Sequence, residues 1–210
     1  LPVYAGRLPN LLLNYLTTWQ SNGAWAVPVV VYGNRSYGNA LVELYDILRY
    51  RGFHPIAAAA FVGQHSFTTR LATGRPDRED LEKAEQFSAE IVRRILQPGE
   101  FTGIKIPGQG APDYGGYYKP KGRDEEVVNF LKAKPVTTDA CIDCRRCAKV
   151  CPMGAIRLDH PSEVSGICIK CNACVKQCPV HAKQLTDEAY LSHVGFLENR
   201  YTSRARIELF

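Results

Sequence analysis

All eight cysteines of this 210-residue chain fall between Cys141 and Cys178, and the rest of the chain has none. Thiols concentrated in this way indicate a functional site rather than scattered core packing. The N-terminal residues lack the charged start and apolar block of a secretory signal, so we expect a cytoplasmic protein. A reducing cytoplasm would open disulfides between these thiols. The cysteines are therefore expected to bind metal.

The cysteines form two copies of one pattern, C-x2-C-x2-C-x3-C-P, which begin at Cys141 and, 27 residues later, at Cys168. This spacing is typical of bacterial iron–sulfur ligation, in which the first three thiolates of a copy bind one cluster and the fourth binds the other cluster. Because the ligands cross, we expect the region to unfold when the clusters are lost. The expected ligands of cluster I are Cys141, Cys144, Cys147 and Cys178. The expected ligands of cluster II are Cys168, Cys171, Cys174 and Cys151.

A pair of zinc sites is the main alternative, and reduced structural cysteines are the other. Zinc ribbons use two C-x2-C pairs separated by a longer loop, and a third cysteine at the same interval has no use in a tetrahedral site. The two complete copies favour iron–sulfur clusters over both alternatives.

The formal net charge of +5 at pH 7 counts every thiol as neutral. Two oxidised four-iron clusters would contribute about −2 each, which brings the net charge to roughly +1. The basic balance is therefore no argument for a nucleic-acid partner, and we expect none. No apolar run approaches the length of a membrane-spanning helix, so we expect no membrane span.

From about Thr137 to Ala182 the chain resembles the two-cluster, eight-iron bacterial ferredoxins. That family has a small residue after the second cysteine, where this chain has Arg145 and, in the second copy, Asn172. Asparagine adopts positive φ more readily than arginine. We hypothesise that the positive charge of Arg145 raises the potential of cluster I relative to cluster II. Basic residues also surround the ligands and suit an acidic redox partner; they are Arg145, Arg146, Lys149, Lys170 and Lys176.

The first hundred residues alternate short apolar runs with helical patterns. Leu1–Tyr4, Val27–Tyr32 and Ile56–Val62 are continuously apolar, as expected of parallel strands covered on both faces. Each is followed by an amphipathic helix, and the third helix is expected to begin after Asp77 and to end at Pro98-Gly99. Three strand–helix units predict an open α/β arrangement.

A polar loop from Gly33 to Gly38 follows the strand that ends at Tyr32. Open α/β sheets bind ligands at the carboxyl ends of their strands. This loop resembles the flavodoxin loop Gly-Asp-x-x-Tyr that holds the flavin ring, with Asn34 in place of the acidic residue. The resemblance covers about Leu1 to Leu96 and implies an FMN site. Its expected residues are Tyr4, Ala5, Gly6, Gly33, Asn34 and Tyr37.

The whole arrangement resembles a family of flavodoxin–ferredoxin fusion proteins from anaerobic bacteria, with the opening strands of the flavodoxin-like part missing. Those strands would supply the FMN phosphate anchor, so FMN is expected of the full-length form rather than of this chain. The predicted fold is α/β, an open parallel flavodoxin-like sheet present as its last three strand–helix units, followed by a small α+β ferredoxin-like domain. The predicted boundaries are 1–97 for the front domain, 98–135 for a Gly/Pro/Tyr-rich connector, 136–184 for the two-cluster domain and 185–210 for a helical C-terminal segment. The connector is expected to contain a short helix from Asp124 to Lys132. The C-terminal segment is expected to contain a helix from Asp187 to Glu198.

These features predict an electron-transfer protein that carries two [4Fe-4S] clusters and passes single electrons between protein redox partners. No catalytic residue is required for this function. One alternative is an FMN-containing iron–sulfur oxidoreductase in its full-length form. Another is a regulatory module whose clusters sense oxygen.

Overall fold

The computed structural model describes residues 1–97, 103–111 and 113–210. The chain divides into two compact units. Unit 1 contains Leu1–His65, Arg70–Tyr118 and Tyr201–Phe210, and unit 2 contains Ser66–Thr69 and Lys119–Arg200. The predicted end of the third helix at Pro98-Gly99 lies outside the described residues. None of the helices in the described part of the chain is long and apolar enough to span a membrane.

Both units are mixed α/β structures with small sheets. The elements of unit 1 are α1 (Asn10–Leu16), β1 (Trp25–Ala26), β2 (Val29–Tyr32), α2 (Ala40–Tyr50), β3 (His54–Pro55), β4 (Ala59–Val62), α3 (Arg78–Leu96) and β7 (Glu208–Leu209). The elements of unit 2 are β5 (Val136–Thr137), α4 (Arg146–Lys149), α5 (Ala173–Lys176), β6 (Lys183–Gln184) and α6 (Glu188–Arg200).

The three apolar runs at the start of the chain lie side by side in unit 1. Strands β2 and β4 pair in parallel, and β7 pairs antiparallel with the far side of β4. The first residues run parallel to β2, because Val3 N–H donates to Val31 O at 3.0 Å and Val31 N–H donates to Leu1 O at 2.9 Å. The strand predicted from Val27 to Tyr32 begins at Val29, as β2, and a separate short strand, β1, ends at Ala26. Pro28, which has no N–H for a ladder, lies between the two.

Local signals in the sequence explain where the helices of unit 1 begin and end. Helix α3 begins after Asp77, as predicted. The Asp77 carboxylate accepts from Asp80 N–H at 3.1 Å, and the Asp80 carboxylate accepts from Asp77 N–H at 3.0 Å. The apolar stripe of α2 stops at Gly52, which has a φ of 83°. A Cβ there would lie 2.2 Å from Ser21 O, so only glycine fits.

The helix predicted from Asp124 to Lys132 is absent, and that prediction was wrong. Glu125 has a φ of 63°, which a right-handed helix does not allow. Gly122 N–H donates to Glu126 O at 2.8 Å, and Lys121 and Val127 form an antiparallel bridge. A tight turn closed by backbone hydrogen bonds therefore replaces the amphipathic helix that the sequence suggested.

The predicted C-terminal segment 185–210 divides between the two units. Its helix, expected from Asp187 to Glu198, is present as α6 in unit 2. The remaining residues return to unit 1, where the last of them form β7. Buried Asn34 holds this return: its Nδ2 donates to Tyr201 O at 2.7 Å and to Ser203 O at 2.9 Å, and its Oδ1 accepts from Ala205 N–H at 3.1 Å.

We predict that Asn34→Gly lowers the free energy of unfolding by about 2 to 4 kcal/mol, because three hydrogen bonds of a buried side chain are lost together. Glycine is the test residue since Asn34 has a φ of 69°, which alanine would find strained. Urea denaturation measures the change. The exposed control Asn14→Ala should change stability by less than about 0.5 kcal/mol. Equal stability of both variants would contradict this account of the C-terminal return.

Candidate metal centre

Two cavities in unit 2 are each surrounded by four cysteines. Cavity I encloses about 330 Å³ and cavity II about 360 Å³, each including space open to solvent. The cysteines of cavity I are Cys141, Cys144, Cys147 and Cys178. The cysteines of cavity II are Cys151, Cys168, Cys171 and Cys174. In each cavity three cysteines come from one copy of the pattern and the fourth comes from the other copy, which is the grouping that the spacing predicts. That these sulfurs ligate clusters stays a prediction.

The backbone repeats its turns along with its cysteines. Each copy has three residues in the left-handed region, and the equivalent residues are 27 positions apart. The pairs are Asp143 (φ 53°) and Lys170 (54°), Arg145 (59°) and Asn172 (56°), and Gly154 (57°) and His181 (53°). Arg145 therefore adopts the same turn as Asn172, although arginine is the less favourable residue for it. These reversals fold each run of three cysteines around one side of a cavity.

Each copy next forms a single helical turn, α4 or α5, directly after its left-handed Arg145 or Asn172. The turn carries the third cysteine, so Cys147 and Cys174 are the most buried sulfurs, each 9% exposed. The first two cysteines of cavity I are exposed, whereas the corresponding two of cavity II are half-buried. Cavity I is thus the one that presents its cysteines to solvent.

Backbone N–H groups surround the fourth cysteine of each copy. Ala155 N–H donates to Cys151 Sγ at 3.3 Å, and Ala182 N–H donates to Cys178 Sγ at 3.2 Å. Burial by itself would raise the pKa of Cys178, but backbone N–H donors lower it below the usual value for a thiol. Those donors belong to Lys183, Val180, Ala182 and His181. The loop after Cys178-Pro179 therefore favours a thiolate at Cys178.

The two buried cysteines have the opposite tendency. Burial, followed by the neighbouring Cys171 and Cys168, raises the pKa of Cys174 to about 11. Burial also raises the pKa of Cys147, and the positive charge of Lys183 offsets part of that rise. An uncompensated thiolate at either position is unfavourable, and a bound metal would supply the compensating positive charge.

A cluster and a single ion require different arrangements of four sulfurs. Across residues 1–97, 103–111 and 113–210, no three His, Cys, Asp or Glu side chains converge closely enough to hold one metal ion. A zinc site needs all its sulfurs at about 2.3 Å from one point. A four-iron cubane instead binds each thiolate at a different corner and so needs the four sulfurs spread around a wider space.

One further residue at the centre was not singled out by the sequence interpretation. Lys183 lines cavity I, is 2% exposed and donates from Nζ to Ser162 O at 3.0 Å. The equivalent residue of the first copy, 27 positions earlier, is Ile156, which lines cavity II. Aligning the two copies beyond their last cysteines would have revealed this exchange of isoleucine for lysine.

The residues expected to bind FMN lie in two adjacent loops of unit 1. Asn39 N–H donates to Gly6 O at 2.9 Å, so the loop from Tyr4 to Gly6 packs against the loop that starts at Gly33. Two of the expected flavin contacts are already engaged within unit 1. Asn34 binds the C-terminal return, and Tyr37 donates from its hydroxyl to Glu208 Oε2 at 2.7 Å.

Comparison with known families supports the metal centre alone. Residues 140–182 match the family model of the 4Fe-4S dicluster domain, a match that includes both copies of the cysteine pattern. No curated protein and no solved structure matched the chain. Unit 2 therefore contains a ferredoxin-type 4Fe-4S dicluster domain. The comparisons show neither a flavodoxin domain nor the fusion family that the sequence resembles.

Proposed function

We propose that this chain is an electron carrier with two [4Fe-4S] clusters, one in each cysteine-lined cavity. The observation that carries the proposal is the grouping of the sulfurs, four around each cavity with one exchanged between the copies, inside a region that matches a 4Fe-4S dicluster domain. When bound, each cluster supplies a one-electron redox couple. Cluster I takes Cys141, Cys144, Cys147 and Cys178 as ligands, and cluster II takes Cys168, Cys171, Cys174 and Cys151.

The protein's own contribution is to hold and tune the clusters. Its thiolates ligate them, and the N–H groups of Ala155 and Ala182 stabilise negative charge on the exchanged cysteines. Electron transfer of this kind needs no nucleophile and no proton donor, so we assign no catalytic residue. We place the protein in the cytoplasm, where thiols stay reduced and available to iron.

Anaerobically purified protein should contain eight iron atoms and eight acid-labile sulfides per chain, which chemical analysis measures directly. Electron paramagnetic resonance (EPR) of the dithionite-reduced protein should show magnetic interaction between two reduced clusters, because each cluster takes a ligand from both copies and the two must therefore lie close together. Cys178→Ala and Cys151→Ala provide matched variants, each expected to disturb the cluster on the opposite copy. Two zinc ions per chain, or thiols that bind no metal, would contradict the proposal.

We also propose that electrons leave through the side of cavity I and pass to an acidic protein partner. Its first two cysteines, Cys141 and Cys144, are exposed. Arg145 and Arg146 line the same cavity, and Lys149 is exposed at the end of α4. A shell of positive charge around exposed ligands attracts negatively charged partners and accelerates their association.

Small oxidants test this surface without knowledge of the partner. Reoxidation of the reduced protein by ferricyanide, an anion, should slow as ionic strength rises, whereas reoxidation by the cation tris(ethylenediamine)cobalt(III) should not. Stopped-flow absorbance gives both rates. Lys149→Glu should slow the ferricyanide reaction, and the control Lys132→Glu, an equal charge change elsewhere on unit 2, should slow it less. Rates that do not depend on ionic strength would exclude a basic docking surface.

A full-length, FMN-containing iron–sulfur oxidoreductase of the flavodoxin–ferredoxin fusion kind from anaerobic bacteria is the second candidate. The adjacent loops at Tyr4–Gly6 and Gly33–Tyr37, which follow parallel segments of unit 1, favour it. Acid extracts of the full-length protein should then show flavin fluorescence. If the clusters are intact but the extracts contain no flavin, the FMN-containing oxidoreductase is excluded and the two-cluster electron carrier remains.

A further inference from the structure

We infer that Lys183 sets the two clusters at different reduction potentials, because its buried positive charge stabilises the reduced form of cluster I more than that of cluster II. This inference rests on the proposed two-cluster function. It assigns Lys183 as a residue that tunes the clusters from outside their ligand sets.

The first argument is that Lys183 is buried without a carboxylate partner. It lies in β6, is 2% exposed, and its Nζ has the carbonyl oxygen of Ser162 as a hydrogen-bond acceptor at 3.0 Å. In the part of the chain that the structure describes, no Asp or Glu forms an ion pair with it. A buried ammonium group is strongly unfavourable unless a negative charge compensates it. Cavity I, which Lys183 lines, is where four thiolates and a cluster would supply that charge.

The second argument is that Lys183 breaks the internal symmetry of the domain. Its equivalent in the first copy is Ile156, 4% exposed, which lines cavity II. Apart from its cysteines and Asn172, cavity II is lined by apolar side chains and carries no charged one. At this equivalent position the interior of cavity I carries a buried charge and that of cavity II does not.

The third argument concerns how strongly each charge around cavity I acts. Arg145 and Arg146 are exposed, and Arg145 lies 3.6 Å from the carboxylate of Asp143, so solvent and a neighbouring charge weaken their fields. Lys183 acts through the interior, where charges interact more strongly.

The consequence is a direction for electron flow. Reduction adds one negative charge to a cluster, and a nearby positive charge favours that added charge. Cluster I is therefore the stronger electron acceptor, and an electron that enters through cluster II passes to cluster I. From there it reaches the exposed side at Cys141 and Cys144.

The test is a redox titration of the anaerobic protein, monitored by EPR and by the paramagnetically shifted β-protons of Cys147 and Cys174, which identify the cluster. In the wild type, the higher-potential step should belong to the cluster on Cys147. In Lys183→Met, that step should become at least tenfold less favourable, a shift of about 59 mV for one electron. The reduction potential of the cluster on Cys174 should shift less, so that the difference between the two potentials becomes smaller.

Three variants make the result specific to the buried charge. Lys183→Ile copies the residue of the other repeat and should act like Lys183→Met, while Lys183→Arg should retain the wild-type gap. Lys134→Met is the control, because Lys134 also donates to backbone carbonyls of unit 2, at Val164 and Ser165, but lines neither cavity I nor cavity II. This variant should leave the reduction potentials of both clusters unchanged.

A higher potential on Cys174 in the wild type would overturn the inference even if every Lys183 variant failed to assemble. Equal shifts of both steps in Lys183→Met, or equal effects of Lys134→Met, would also overturn it. In all these cases eight irons per chain would still support the two-cluster function. A chain without iron would instead remove the function itself.

Discussion

The fourth cysteine of each repeat lies in the cavity formed mainly by the other repeat, and the structure of unit 2 depends on this exchange. The apolar core between the repeats is small: buried Cys147, Ile156 and Cys174, with few partly buried neighbours. The two strands that close the domain, β5 and β6, have only two residues each. The repeats therefore bury little apolar surface between them, and bonds from sulfur to metal that tie both repeats together would supply the stability that this small core lacks.

The exchange also explains the unusual thiols. Cys147 and Cys174 are buried where a free thiolate is unfavourable, and the exchanged Cys178 lies where backbone N–H groups favour one. Both environments suit a cofactor that carries metal charge and spreads its negative charge over several sulfurs. Lys183 fits the same account, because an anionic cluster in cavity I would compensate its buried positive charge. The repeats thus form one structural framework with two electrostatic environments.

The sequence predicted the metal centre better than it predicted the rest of the fold. Cysteine spacing is a local pattern, so the sequence alone predicts which four cysteines line each cavity, while cluster ligation by them stays a prediction. The cap at Asp77 and the stop at Gly52 were predictable for the same reason. The predicted helix at 124–132 was wrong: its residues have an amphipathic pattern that fits a helix, but they form a tight turn closed by backbone hydrogen bonds. The return of the C-terminal residues to Asn34 depends on contacts between distant parts of the chain, which no local pattern encodes. The burial of Lys183 likewise depends on its surroundings in the fold, although the exchange of isoleucine for lysine between the copies is visible in the sequence.

The most direct test of the central claim is diffraction from anaerobically grown crystals at the iron absorption edge. The account predicts two four-iron sites per chain, with Cys178 Sγ bound to the site that also holds Cys141, Cys144 and Cys147. Cys151 Sγ should be bound to the other site. Single-ion peaks in the cavities, or Cys178 bound together with the three cysteines of its own copy, would contradict it.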